Sequence, residues 1–194
     1  MRRSSRNPWF VLAIVGGLAY PLLVYFGMSR LPPSAIVLAG LGLIGLRLIG
    51  TWRSERQIAG AGTVALALAA MGLAALLLLA PRMAALAYPI AVSLATAAIF
   101  GLSLLHPPSV VERIVRIREP ELPPHGVAYA RRVTAVWTLF LIANAMISAA
   151  SAAWGSLETW TLWNGLISYV LMGTLFAGEM GVRWVVRRRH AALP

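Results

Sequence analysis

Residues Ile58 to Ala80 read IAGAGTVALALAAMGLAALLLLA, and after Pro81-Arg82 the chain resumes in the same character over Met83 to Leu105, MAALAYPIAVSLATAAIFGLSLL. Neither run carries a charge. A helix crossing a hydrocarbon core about 30 Å thick needs roughly 20 apolar residues, at about 1.5 Å of rise each, and both runs exceed that. Backbone groups left unpaired in such a core are too costly for anything but a helix or a closed barrel. A barrel would show alternating segments of about ten residues, so the runs predict helices.

Working outward, four more stretches have the same form. Trp9 to Met28 precedes the turn Ser29-Arg30-Leu31-Pro32-Pro33, and Ser34 to Gly50 follows it with Arg47 near its end. On the other side, Val133 to Trp154 and Thr159 to Met180 flank the turn Gly155-Ser156-Leu157-Glu158. The first stretch has a basic start at Arg2, Arg3 and Arg6. It exceeds a signal-peptide core of roughly 7–15 residues and no small-x-small site follows, so it reads as a retained anchor. The expectation is an all-α integral membrane bundle of six transmembrane helices. It divides into a four-helix half over residues 1–105, a cytoplasmic loop over 106–132, and a two-helix half with a basic tail over 133–194.

Composition excludes other classes. Of 194 residues, 59% are apolar and 12% charged, against about half and one quarter in a soluble domain. The mean hydropathy is +0.77 and the sequence pI about 11.6. Every positive side chain is Arg and every negative one Glu, giving a net charge of +11 with no cysteine. Disulfides, thiolate metal sites and cysteine nucleophiles are therefore absent.

The arginines orient the bundle. Arg2, Arg3 and Arg6 precede the first span; Arg47, Arg53 and Arg56 join the second to the third. Arg113, Arg116, Arg118, Arg131 and Arg132 lie in the long loop, and Arg183, Arg187, Arg188 and Arg189 end the chain. Only Arg30 and Arg82 fall on the opposite side. Positive residues stay cytoplasmic, which places both termini inside. Trp9, Trp52, Trp154, Trp160, Trp163 and Trp184 lie near span ends, where an amphipathic ring suits the headgroup layer. The basic excess reads as a topology signal and a contact with anionic headgroups. Its scatter over four short segments with no binding module argues against nucleic acid.

The loop at 106–132 holds the densest polar pattern. Pro107-Pro108 ends the fourth span, and Ser109-Val110-Val111-Glu112 has the form of a capping box. Val110, Val111, Ile114, Val115 and Ile117 gather on one side at helical spacing, with Glu112, Arg113 and Arg116 opposite. This predicts a short amphipathic helix lying in the interface with its apolar side toward the acyl chains. Proline then stops it at Glu119-Pro120-Glu121-Leu122-Pro123-Pro124. An extended stretch is expected, turning at His125-Gly126. Two roles fit. One is a structural re-entry device. The other is a docking surface, formed with Glu112, in which Arg113, Arg116, Arg131 and Arg132 hold a headgroup phosphate or carboxylate with His125 or Tyr129 assisting.

Polar groups within spans are costly and often functional. Asn144, Asn164 and Ser168, with Ser148 and Ser151, could bond across helices. Glu179 and Arg183 have the spacing of an intrahelical pair. Gly173, Ala177 and Gly181 place small residues on one face of the sixth span. Catalytic patterns are missing: there is no Lys for a phosphate loop, no Asp, and no paired His for a metal. Gly40-Leu41-Gly42-Leu43-Ile44-Gly45 matches GxGxxG in letters only, because it sits inside a span. No catalytic residue, metal or cofactor is expected.

Several strings in the second half carry a resemblance. They are Pro107-Pro108-Ser109, Glu112-Arg113, Glu119-Pro120, Leu122-Pro123-Pro124, Gly126-Val127, Tyr129-Ala130-Arg131-Arg132-Val133-Thr134 and Val136-Trp137. Trp163-Asn164-Gly165-Leu166-Ile167-Ser168-Tyr169 and Leu175-Phe176-Ala177-Gly178-Glu179 continue it. Over roughly residues 105–185 the chain resembles a family of small bacterial multi-spanning membrane proteins whose genes accompany aryl polyene or xanthomonadin-type pigment clusters. The resemblance implies a place in aryl-polyene-type lipid assembly at the bacterial cytoplasmic (inner) membrane; with the basic loop and the absence of catalytic groups, the expectation is a non-enzymatic scaffold with acyl carrier protein or soluble biosynthetic enzymes as partners. A ketosynthase or gyrase-subunit activity, labels met on such proteins, is excluded by the missing cysteine and ATP-binding motif. Two alternatives stand beside the scaffold. One is a lipid or polyene transporter with a cavity lined by Asn144, Asn164, Ser168 and Glu179. The other is an intramembrane acyl or glycosyl transferase using His125 or Glu112.

Overall fold

The structure is a computed structural model describing residues 8–53, 56–117 and 119–191, with side chains described over 15–46, 48, 62–117 and 119–181. Its helices are α1 (Pro8–Gly27), α2 (Pro33–Arg53), α3 (Arg56–Leu79), α4 (Pro81–Leu105), α5 (Val110–Arg116), α6 (Pro124–Trp154), α7 (Leu157–Leu162) and α8 (Ser168–Ala191). A π turn, Trp163–Ile167, joins α7 to α8. Among the described residues there is no strand.

Proline sets many of these boundaries. Pro8, Pro33, Pro81 and Pro124 are each the first residue of a helix. The missing N–H is harmless there and the fixed φ is already helical. The same rule corrects the reading of the loop. Pro123 is extended (φ −67°, ψ 158°) and Pro124 starts α6, so helix replaces the expected turn at His125-Gly126. The sixth span also departs from expectation: the π turn interrupts what read as one continuous helix.

Among the described residues, three helical stretches are long and apolar enough to cross a membrane: Gly62–Leu79, Pro81–Leu105 and Pro124–Trp154. The parts of α1 and α2 whose side chains are described, Val15–Gly27 and Pro33–Leu46, are apolar as well. α4 is the hub, packed against α3 and α6 and also touching α2. Many large apolar side chains point outward, as with Leu78 (85% exposed), Leu139 (68%) and Phe26 (63%), while Ile36, Ile44, Leu66 and Leu73 are buried. Most buried positions of α4 and α6 are small or polar, among them Ala84, Ala85, Ser93, Ala95, Ala97, Thr134, Asn144, Ala145 and Ser148, with Leu86, Tyr88 and Leu141 as the large exceptions. A soluble bundle has the reverse arrangement. Small contacts and interhelical hydrogen bonds are what hold helices together when the surroundings are as apolar as leucine.

Two prolines lie inside helices and are both answered by tyrosines. Pro21 in α1 and Pro89 in α4 cannot donate to the carbonyls four residues earlier, Gly17 and Ala85. The Tyr169 hydroxyl, from α8, donates to Gly17 O at 3.1 Å, and the Tyr20 hydroxyl, from α1, donates to Ala85 O at 3.0 Å. Each freed carbonyl thus becomes a cross-link between helices. Tyr20 also lies against Tyr88, with ring centroids 4.1 Å apart. Gly40 of α2 makes room for this pair, since a Cβ there would lie 2.9 Å from Tyr88 Cδ2 and 3.1 Å from Tyr20 Cε2. The glycine of the false nucleotide motif is a packing notch.

Candidate functional site

The loop residues can be followed one by one. α5 forms as expected, and a Glu112 carboxylate oxygen accepts from the Ser109 N–H at 3.3 Å. The next N–H groups of the helix start are met from neighbouring elements. Val110 N–H donates to Ser103 Oγ at 3.0 Å and Val111 N–H to Thr134 Oγ1 at 3.3 Å. The donors of this helix start are therefore engaged by α4 and α6, which docks α5 onto the bundle. Its orientation corrects the sequence reading. Glu112 and Val115 are buried together, whereas Ile114 and Ile117 are exposed. The apolar side is split, because the face that meets α6 includes the carboxylate.

The arginines of the loop bind their own chain. Arg113 Nε donates to Pro108 O at 2.8 Å. Arg116 pairs with Glu112 Oε1 at 2.9 Å and donates to Pro120 O, also at 2.9 Å. Arg131 Nη2 donates to Leu104 O at 3.1 Å, meeting one of the last carbonyls of α4, where positive charge suits the helix dipole. Tyr129 donates from its hydroxyl to Glu179 O at 3.3 Å. Arg132 and His125 are exposed. The Arg183 side chain lies outside the described residues, so the expected pair with Glu179 does too.

The second set of predicted residues converges on a cavity of about 280 Å³. α1 contributes Gly17 and Pro21, α4 contributes Tyr88 through Phe100, and α6 contributes Trp137, Leu141 and Asn144. Asn164 of the π turn and Ser168, Tyr169 and Met172 of α8 close it. Asn144, Asn164 and Ser168 are all at least nine-tenths buried. Asn144 Nδ2 donates to Ser93 Oγ at 3.1 Å. The Ser148 hydroxyl donates to Asn164 Oδ1 at 2.8 Å, and Asn164 Nδ2 donates to Trp160 O at 2.9 Å. Asn144 Oδ1 is buried with no hydrogen-bond partner. Glu179, expected with this group, does not line the cavity.

Sequence reasoning missed three parts of this site. Pro21 and Pro89 border the cavity, and the signal available for them was simply proline inside an apolar run. The π turn is a feature frequent at functional sites, and no local pattern announces it. A larger groove of about 620 Å³ runs between α3 and α4 but has only aliphatic and glycine lining, Val64 through Leu102, with nothing polar to orient a ligand. Among the described residues no three His or Glu side chains gather as a metal site would require.

No family model, curated protein or solved structure matches this chain. The functional reading therefore stands on the cavity and the loop.

Proposed function

We propose that the chain is a multi-pass protein of the bacterial cytoplasmic membrane that holds part of an apolar molecule inside its helix bundle, without catalysing a reaction on it. One observation carries this reading: a part-open cavity of about 280 Å³, mainly apolar with a few buried polar groups, lined by helices whose outer surfaces are leucine, valine and phenylalanine. Ligand sites are mainly apolar with a few placed polar groups, and this volume is at the small end of their range of about 300–1,000 Å³. It fits a head group or a chain segment. The charged loop supports the same division of labour, since Arg113, Arg116 and Arg131 are engaged by the backbone and hold the loop over the end of α4.

Six spans with both termini inside agree with the arginine distribution. The resemblance over residues 105–185 suggests the setting, aryl-polyene-type lipid assembly, with the held molecule a growing or finished acyl chain. A scaffold that docks soluble enzymes remains the second reading, favoured by the exposed Arg132 and His125.

The test is native mass spectrometry of the full chain in nanodiscs made from its host membrane. The wild type should retain a bound molecule that Thr96→Phe, at a part-exposed position on the cavity wall, expels without loss of helicity. Equal retention by both would sink the reading. Reporter fusions after Arg30, after Arg82 and at the C-terminus check the topology; activity of the first two on the cytoplasmic side would overturn it.

A further inference from the structure

We infer that the cavity takes a neutral molecule presenting one hydroxyl or N–H donor to the amide oxygen of Asn144. This rests on the ligand-site reading above and names its chemistry. Asn144 is 6% exposed, and its Nδ2 is already committed to Ser93 Oγ. Its Oδ1 has no partner. Buried amide oxygens are rarely left so, and in apolar surroundings the cost is largest. The neighbouring amide is closed: Asn164 accepts from Ser148 and donates to Trp160 O. Of the two amides on the wall, the open valence is therefore the acceptor of Asn144; it is enclosed, and a donor on the ligand fills it as the wall adjusts.

The charge of the wall sets the second half of the inference. None of the lining residues is Arg, His or Glu. A carboxylate or phosphate would lose its hydration there with no cation to compensate, a cost that normally neutralises or excludes the ion. Phe100, Trp137, Leu141 and Met172 offer an apolar and partly aromatic surface to the rest of the molecule.

The test uses the full chain in nanodiscs and three probes of equal length carrying the same mid-chain diazirine: a decanol, a decane and a decanoate. After photolysis, labelled peptides are mapped. Labelling of cavity residues should favour decanol over decane roughly two- to tenfold, the worth of one hydrogen bond, with decanoate lowest. Asn144→Leu should bring decanol down to the decane level and leave decane unchanged. Ser93→Ala, which keeps Oδ1, should keep the preference. Equal labelling by decanol and decane, a lead for decanoate, or a preference that survives Asn144→Leu each overturns the inference while leaving a ligand cavity in place. If every probe labels only outward positions such as Leu139, the ligand-site reading fails as well.

Discussion

The loop over residues 106–132 and the cavity beneath it differ in a way that charge alone would misjudge. The loop has four described arginines, yet three of them donate to carbonyls at Pro108, Pro120 and Leu104, and one of these also pairs with Glu112. The cavity lining has no charged side chain, yet Asn144 Oδ1 is open. Binding capacity follows unsatisfied valence more than charge. A guanidinium tied to a backbone carbonyl acts as a structural strut, while a half-used amide in a mostly apolar site can still orient a ligand.

The largest expected break in this contrast is at Gly40, which supports the tyrosine pair beside the cavity. Gly40→Val would drive side-chain atoms into Tyr20 and Tyr88, already 3.1 and 2.9 Å from the position of a Cβ. Overpacking of this kind costs about 1–3 kcal/mol, a fall of roughly 2–10 °C in Tm. Thermal unfolding in detergent reads it. Gly42→Ala is the control, because a Cβ there meets nothing within 4 Å.

Next is the proline–tyrosine link. Tyr169→Phe leaves Gly17 O without its donor and should cost about 0.6–1.7 kcal/mol, the range of single hydrogen bonds between membrane helices. In a Pro21→Ala background the new backbone N–H at position 21 can reach Gly17 O, so the same change should cost less. A double-mutant cycle measures the difference. Equal costs in both backgrounds would mean that the proline does not create the tyrosine's role.

Part of this architecture was legible in the chain and part was not, for a physical reason. Apolar length marks helices, and Ser109-Val110-Val111-Glu112 marks the start of α5, because both depend on neighbours within a few residues. Asn144, Asn164 and Ser168 stood out because polar groups in apolar runs need partners. The identity of those partners is a matter of tertiary approach: Tyr169 meets Gly17 across 152 residues and Asn144 meets Ser93 across 51. Pro124 was misread because proline both stops a helix behind it and starts one ahead, and only the backbone distinguishes them. The loop arginines fitted both an anchoring and a binding role because sequence shows a charge but not the carbonyl that occupies it.

A smaller effect is expected from the loop itself. Arg131→Gln removes a donor from Leu104 O at the end of α4, worth about 0.5–1.5 kcal/mol. Hydrogen exchange should quicken over residues 102–117 and stay unchanged in the cavity-lining part of α6. If the loop is a strut, ligand retention in the cavity persists in this variant. Loss of retention would join the two regions into one site.

The smallest effect lies at the other end of the bundle, in the turn before α7, and its sign is set by titration. The Ser156 hydroxyl and a backbone N–H donate to the Glu158 carboxylate and hold its pKa below its ordinary value of 4.5. Negative charge in the first turn of a helix is favourable for the same geometric reason. A carboxylate whose folded pKa is lowered adds stability that is present above its unfolded pKa and disappears as the pH falls through the lowered folded value. Wild type should therefore melt slightly above Glu158→Gln at pH 7, with the gap closing as the pH falls through the lowered folded value. Added salt screens the helix-dipole part but leaves the hydrogen-bonded part. A gap that persists in high salt at pH 7 and closes on acidification assigns the effect to Ser156, and a gap that widens on acidification would reverse the assignment.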